Sequence, residues 1–130
     1  VLAEESSLSI KTNPCTTIDS ETSIKTAVEK LAELGVSSLL VVKEDKLVGI
    51  FTERDVLEKV AAQYASMSDR PVRQVMTSDP SVIYESDSVG AAVGAIAVAG
   101  HRHVPVLNMD GKVVGIVSPK RVLSYLEPMI

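Results

Sequence analysis

The chain carries one pattern twice. Residues 22–52 and 87–118 run in parallel: Ser23-Ile24 matches Ser88-Val89, Ala27-Val28 matches Ala92-Val93, and Leu34-Gly35 matches Ala99-Gly100. The runs Ser38-Leu39-Leu40-Val41-Val42 and His103-Val104-Pro105-Val106-Leu107 correspond, as do Val48-Gly49-Ile50-Phe51-Thr52 and Val114-Gly115-Ile116-Val117-Ser118. The offset is 65 residues in the helical part (27 to 92) and 66 past the hairpin turn (49 to 115), where Met109-Asp110-Gly111 has one residue more than Glu44-Asp45. A repeat of this length is one supersecondary unit that buries its core against its twin. The cleft between two such halves is a natural ligand site.

Each repeat reads as β-α-β-β-α. The spacing predicts a short strand over residues 15–18, then a helix capped by Thr22 with Ile24, Ala27, Val28, Leu31 and Leu34 on one face and Gly35 as its stop. A hairpin follows, with strands over 38–42 and 47–51, and Thr52 starts a helix through Val56, Leu57 and Val60. Polar residues 63–70 read as a linker ending in Pro71, and residues 71–76 as a single helical turn. The second repeat is expected to place a strand at 81–84, a helix at 88–99, a hairpin at 103–117 and a last helix at 120–126. The implied division is a lead-in at 1–9, repeat one at 10–64, a linker at 65–70 and repeat two at 71–130.

Bulk properties exclude several classes. A length of 130 residues allows one compact domain with a real core, and 45% apolar residues with only 3% aromatics make that core aliphatic. A net charge of −4, with no basic face carrying interleaved aromatics, argues against nucleic acid or an anionic membrane as partner. The longest apolar run, residues 89–100, has 12 residues against the roughly 20 that a bilayer needs. One cysteine, Cys15, precludes an intramolecular disulfide and suits a reducing cytoplasm. It reads as a small buried thiol, since neither a base nor an oxyanion site is marked for it. No signal peptide is visible, and the chain opens on Val1 rather than Met, as a piece of a longer protein would.

The uncharged helix of repeat two, Val-Gly-Ala-Ala-Val-Gly-Ala-Ile-Ala-Val-Ala, is apolar all round and should be buried on more than one side. Either the monomer closes that face or a second copy does, with Gly90 and Gly94 admitting a close backbone; a symmetric homodimer is the commonest use of such a face.

The sharpest local signal is Gly49-Ile50-Phe51-Thr52-Glu53-Arg54-Asp55. A strand ending in Thr52 as a helix begins offers free backbone N–H groups, the positive helix end and a hydroxyl, an arrangement suited to phosphate. Asp55, one turn on, can accept from two neighbouring hydroxyls such as a ribose diol. The same Thr-x-x-Asp is also a capping box, and from these residues alone the cap is the simpler account. Arg54 either swings to a phosphate or decorates the helix. His101 and His103 share one side of a strand entrance, and no further ligand stands at a metal-like spacing, so no metal is expected.

Two such units, each with an apolar hairpin leading into Gly-Ile-x-[Thr/Ser], together with Pro71-Val-Arg-Gln-Val-Met-Thr77 and His101-Arg102-His103-Val104-Pro105-Val106, resemble a cystathionine-β-synthase (CBS) domain pair, or Bateman module, over residues 10–126. The resemblance implies an α+β fold of two pseudo-symmetric β-α-β-β-α repeats packed through their sheets. It also implies a non-enzymatic module that binds an adenosine-containing ligand (AMP, ADP, ATP, NAD or S-adenosylmethionine), requires no cofactor, and reports to an attached or partner domain. In the family pattern the backbone of Thr16, Thr17 and Ile18 holds adenine, Asp55 meets ribose and Thr52 meets phosphate, with Arg54 beside them. Arg102, His103, Pro105 and Ser118 complete the implied set. Repeat two departs from the pattern: Arg121 stands where a carboxylate belongs, and an arginine has donors only. One working site per chain is therefore expected. The alternative reading is a structural dimerisation module in which the motifs only cap helices.

Overall fold

The structure, a computed structural model, describes residues 15–99, 104–117, 123 and 127–129. The chain divides into two compact units, Thr16–Pro80 and a second that holds Ser81–Ile130.

In the first unit, β1 (Thr17–Asp19), β2 (Ser38–Lys43), β3 (Lys46–Thr52) and β4 (Thr77–Ser78) form one sheet in that order. β1 runs parallel to β2, and the other neighbours are antiparallel. The β2–β3 turn is two residues long, and Glu44 and Asp45 both take positive φ (52° and 65°), as the twist of a tight hairpin demands. Ile18, Leu39, Val41 and Phe51 from the sheet meet Ile24, Ala27 and Leu31 of α1 (Ile24–Leu34) in the core, with Val60, Val72 and Val75. Fully burying such a side chain contributes about 1.5–3 kcal/mol. Leu34, at the end of the periodic stripe, is exposed instead.

The start of α1 shows how the unit closes on itself. A helix leaves its first four N–H groups without intrahelical partners. Here Ile24 N–H donates to Arg70 O (2.9 Å), Lys25 N–H to Ser68 O (3.0 Å) and Thr26 N–H to Ser23 Oγ (3.1 Å), and the intrahelical ladder opens with Ala27 N–H to Ser23 O (3.0 Å). Ser23, not the expected Thr22, is the N-cap, because Thr22 is taken into a turn by Asp19 O. Residues 68–70 thus cap a helix where the composition suggested a free linker. Val72 and Val75, which open the second repeat in sequence, pack in the first unit's core.

The chain after β3 winds through α2 (Glu53–Asp55), a π-helical turn (Val56–Val60), a 3-10 turn (Ala61–Gln63) and α3 (Tyr64–Met67). A 3-10 turn at Val72–Gln74 follows, as expected for this segment.

The second unit repeats the register of the first. β5 (Ile83–Tyr84), β6 (Val104–Leu107) and β7 (Val113–Val117) form a sheet in that order, and α4 (Val89–Ala99) packs Ala92 and Ile96 against Ile83, Val104, Val106 and Val117. Ile18 pairs with Val41, and Ile83 with Val106; Leu40 pairs with Ile50, and Pro105 with Ile116. A bulge falls between Val41 and Val42 and again between Val106 and Leu107. Even the N-cap recurs, with Ala91 N–H donating to Ser88 Oγ (3.1 Å). This is an α+β fold of two repeats, as the sequence pattern implies.

The twins differ at Pro105. In repeat one Leu40 N–H donates to Thr16 O (2.9 Å), and Pro105, at the matching position, has no N–H to give. That lost rung accounts for β5 starting later in its repeat than β1. The three-residue turn is built on Asn108, whose Oδ1 accepts from Asp110 N–H (2.9 Å) and Lys112 N–H (3.0 Å), with Gly111 at φ 80°. The expected last helix, over 120–126, lies outside the described residues except at Leu123.

Candidate functional site

β3 delivers Thr52 to the end of the sheet with extended backbone (φ −121°, ψ 165°), and α2 begins at the next residue. The capping box predicted as the simpler account is present. Asp55 N–H donates to Thr52 Oγ1 (3.2 Å), while Asp55 Oδ2 accepts from Thr52 N–H (3.0 Å) and from the Thr52 hydroxyl (3.1 Å). The backbone N–H groups expected to be free for an anion are therefore partly used: Glu53 N–H donates to Ser37 O (3.1 Å) and Asp55 N–H to Thr52. The cause is local, since β2 starts beside the end of β3, with Ser38 paired to Thr52.

Asp55 is buried at 4% exposure, and two further donors reach it from outside the box. The Thr77 hydroxyl donates to Oδ1 at 3.1 Å, with Oδ2 at 3.4 Å. Lys59 Nζ stands 2.8 Å from Oδ1 and donates to the Val75 carbonyl at 3.0 Å. A carboxylate offers about four lone-pair positions. Thr52 N–H, the Thr52 hydroxyl, the Thr77 hydroxyl and the Lys59 ammonium fill them. Any ligand hydroxyl that binds Asp55 must exchange with one of these donors.

The remaining expected residues fall as follows. Thr16 gives its carbonyl to Leu40, Thr17 is exposed, and the Ile18 side chain lies in the core, so Ile18 can meet a ligand through its backbone only. Among the described residues β1 pairs on one side only. Thr16 O and Ser20 N–H both point to β2, which turns the Thr17 backbone groups to the open edge. Thr16 and Thr52 share one end of the sheet, because both flank the first residues of β2. They are separated by two strand spacings, about 10 Å. Arg54 is exposed and paired to Glu58 (Nε–Oε1 3.0 Å), its solvent-facing role. Pro105 is buried in β6. Arg102, His103, Ser118 and Arg121 lie outside the described residues.

Sequence reasoning missed Lys59 and Thr77 as partners of Asp55. The first was readable from its spacing, four residues on in a helix; the second required β4. Cys15 is half-buried, and burial pushes its thiol above the usual range against a smaller opposing effect of its backbone hydrogen bond. Among the described residues no three His, Cys, Asp or Glu side chains gather as metal ligands would, and no helix is long and apolar enough to cross a membrane.

Comparisons with known proteins agree with this architecture. Residues 7–62 and 72–128 each match the CBS domain. An uncharacterised protein of Methanopyrus kandleri is 34% identical over 110 residues, covering 82% of this chain and 56% of that protein. The inosine-5'-monophosphate dehydrogenase of Thermoplasma acidophilum is 32% identical over 108 residues, covering 83% of this chain and 21% of the enzyme. The chain thus spans little more than half the length of the first relative and about a fifth of the second. Among solved structures, a protein with CBS domains from Burkholderia ambifaria superposes with a TM-score of 0.74 at 29% identity, covering 92% of this chain and 91% of that one. The Arabidopsis thaliana protein CBSX2, in complex with AMP, superposes with a TM-score of 0.79 at 24% identity over 96% of this chain and 98% of that one, a likeness of fold. With both repeats matched and their register duplicated, the chain belongs to the CBS-domain family as a tandem pair.

Proposed function

We propose that this chain binds one adenosine-containing ligand, of the AMP, ADP, ATP, NAD or S-adenosylmethionine class, and reports its occupancy to an attached domain or a partner. The observation that carries the reading is the buried Asp55 carboxylate at a strand–helix junction, at the same sheet end as the edge of β1 that no strand pairs among the described residues. A carboxylate there suits a ribose diol, and free backbone groups at a strand edge suit the donor and acceptor face of adenine. CBS-fold proteins bind adenosine nucleotides, CBSX2 with AMP among them, which supports the same class here. Arg102, His103 and Ser118 are proposed at the phosphate end on the family pattern. Arg121 is proposed to leave repeat two without a diol acceptor, giving one equivalent per chain. A cytoplasmic setting is proposed from the lone cysteine.

Calorimetric titration with AMP tests this. One equivalent is expected on the wild type and none on Asp55→Ala, with circular dichroism reporting the mutant's fold. Unchanged affinity in a folded Asp55→Ala removes the assignment and leaves Asp55 as a cap.

A second reading, a dimerisation module without a ligand, is favoured by one observation: every acceptor position of Asp55 is already filled by the chain itself. Thermal unfolding separates the two. AMP, ATP or NAD at a hundred times its dissociation constant adds about 2.7 kcal/mol to a protein that binds it, and nothing to one that does not.

A further inference from the structure

The donors on Asp55 divide into two kinds. Thr52 belongs to the same strand–helix junction and moves with Asp55. Thr77 and Lys59 instead tie that junction to residues 75–78: the Thr77 hydroxyl donates to Asp55 Oδ1 (3.1 Å), and Lys59 bridges Asp55 Oδ1 (2.8 Å) to the Val75 carbonyl (3.0 Å). Val75 is held in the core and the Val75 and Met76 N–H groups donate to Val72 O (3.0 and 2.9 Å), but the sheet's hold on the end of the segment is short, since β4 contributes only two pairs, Gly49 with Ser78 and Ile50 with Thr77. Two residues of ladder are a weak anchor by themselves. Asp79 follows at positive φ (51°), and the second unit begins at Ser81. The segment held by Asp55 is thus the last piece of the first unit before the chain enters the second.

We infer that the Thr77 hydroxyl occupies the position on Asp55 that a ligand hydroxyl takes, so that ligand binding and the anchoring of residues 75–78 are mutually exclusive. This rests on the reading of Asp55 as a diol acceptor. For one ligand hydroxyl the exchange is one hydroxyl for another on the same oxygen, which requires no new acceptor and leaves the capping box in place; the second hydroxyl of a diol needs a further one of the four donors to give way. Its consequence is direction: occupancy of Asp55 loosens the connection into the second unit, and a tighter connection weakens binding by the same factor.

Two measurements test the latch, both with AMP on the full 130-residue chain. In the first, AMP is titrated into wild type, Thr77→Val and Thr77→Ser. Valine keeps the shape and removes the competing donor, so affinity should tighten about three- to tenfold, the worth of one hydrogen bond; serine restores the hydroxyl and should bind as wild type does. In the second, amide hydrogen exchange is followed on the wild type alone. AMP should accelerate exchange across residues 75–78 while slowing it in β1. Wild type that binds AMP with the same or higher affinity than Thr77→Val overturns the competition and leaves the nucleotide reading standing. So does AMP that protects residues 75–78. Failure of both wild type and Thr77→Val to bind AMP overturns the nucleotide reading and the competition with it. Binding by Thr77→Val alone supports the latch in its strongest form.

Discussion

Lys59 reaches back one helical turn to Asp55, its Nζ 2.8 Å from Oδ1, and spends a second hydrogen on the Val75 carbonyl 3.0 Å away. Arg54 and Glu58, one residue earlier on each side, make a pair of the same i,i+4 spacing at 3.0 Å, with both side chains more than half exposed. The spacing is shared and the surroundings are not. An exposed helix pair contributes about 0.3–0.5 kcal/mol. Removing Lys59 leaves a nearly buried carboxylate without its cation and a carbonyl without its donor, at about 1–3 kcal/mol even with the lysine partly solvated. Lys59→Ala should therefore lower the urea midpoint clearly while Arg54→Ala leaves it within error. Equal effects from the two would show that the Lys59 pair is screened like a surface one.

Gly49 marks where β4 pairs with β3, opposite Ser78. A Cβ at this position would press on the Met76 side chain and stand 2.9 Å from the Thr77 carbonyl. Met76 can turn aside, but the Thr77 carbonyl belongs to a residue held opposite Ile50 in the ladder. Gly49→Ala is expected to cost about 1–3 kcal/mol, the usual range for overpacking. Adding Met76→Ala should recover only part of that loss. Full recovery in denaturant titrations would mean that the backbone of residues 77–78 yields freely.

The repeat was the most legible feature of the sequence, because hydrophobic period and turn length together fix register. The step from 65 to 66 residues reappears as the step between the Ile18–Val41 and Ile83–Val106 pairings and the later Leu40–Ile50 and Pro105–Ile116 pairings. Gly35 was readable as a helix stop, and it takes left-handed backbone at φ 62°. Contacts between distant segments left no local trace. β4 is two polar residues long and has no alternation to detect, and the capping of α1 by residues 68–70 uses carbonyls that every residue possesses. The Thr52–Asp55 motif was legible as chemistry. Its partner Thr77, 22 residues away, was visible only once β4 lay beside β3.

Cys15 supplies a pH dependence. Burial favours its neutral thiol, which lifts the folded-state value above the ordinary 9.0, with the backbone hydrogen bond opposing. The sign follows from proton uptake: the folded state holds this proton more tightly than the unfolded chain. The resulting stability is complete below the unfolded value and is lost as pH rises through the folded one. Alkylation by iodoacetamide at pH 8 should run slower on native protein than on protein in urea, since the thiolate is the nucleophile. Equal rates would place the thiol in solvent.

The face of α4 turned away from its own sheet bears on self-association. Ala92 and Ile96 are buried in the second unit, whereas Ala91, Gly94, Ala97 and Val98 are exposed there, Val98 at 87%. The helix carries no charge, so this face has nothing to hold water against a second apolar surface. Among the described residues an added Cβ at Gly94 meets nothing within 4 Å, and Gly94 is exposed, so a side chain can leave the backbone there. Gly94→Glu therefore separates folding from association. If α4 meets its counterpart in a homodimer, light scattering should give a dimer for the wild type and a monomer for Gly94→Glu, with the circular dichroism spectrum unchanged. The glutamate would bring an unpaired charge into the contact, a cost of several kcal/mol that weakens association by more than roughly a hundredfold. A monomeric wild type removes the dimer. An unfolded Gly94→Glu shows instead that the chain covers this face with its own residues.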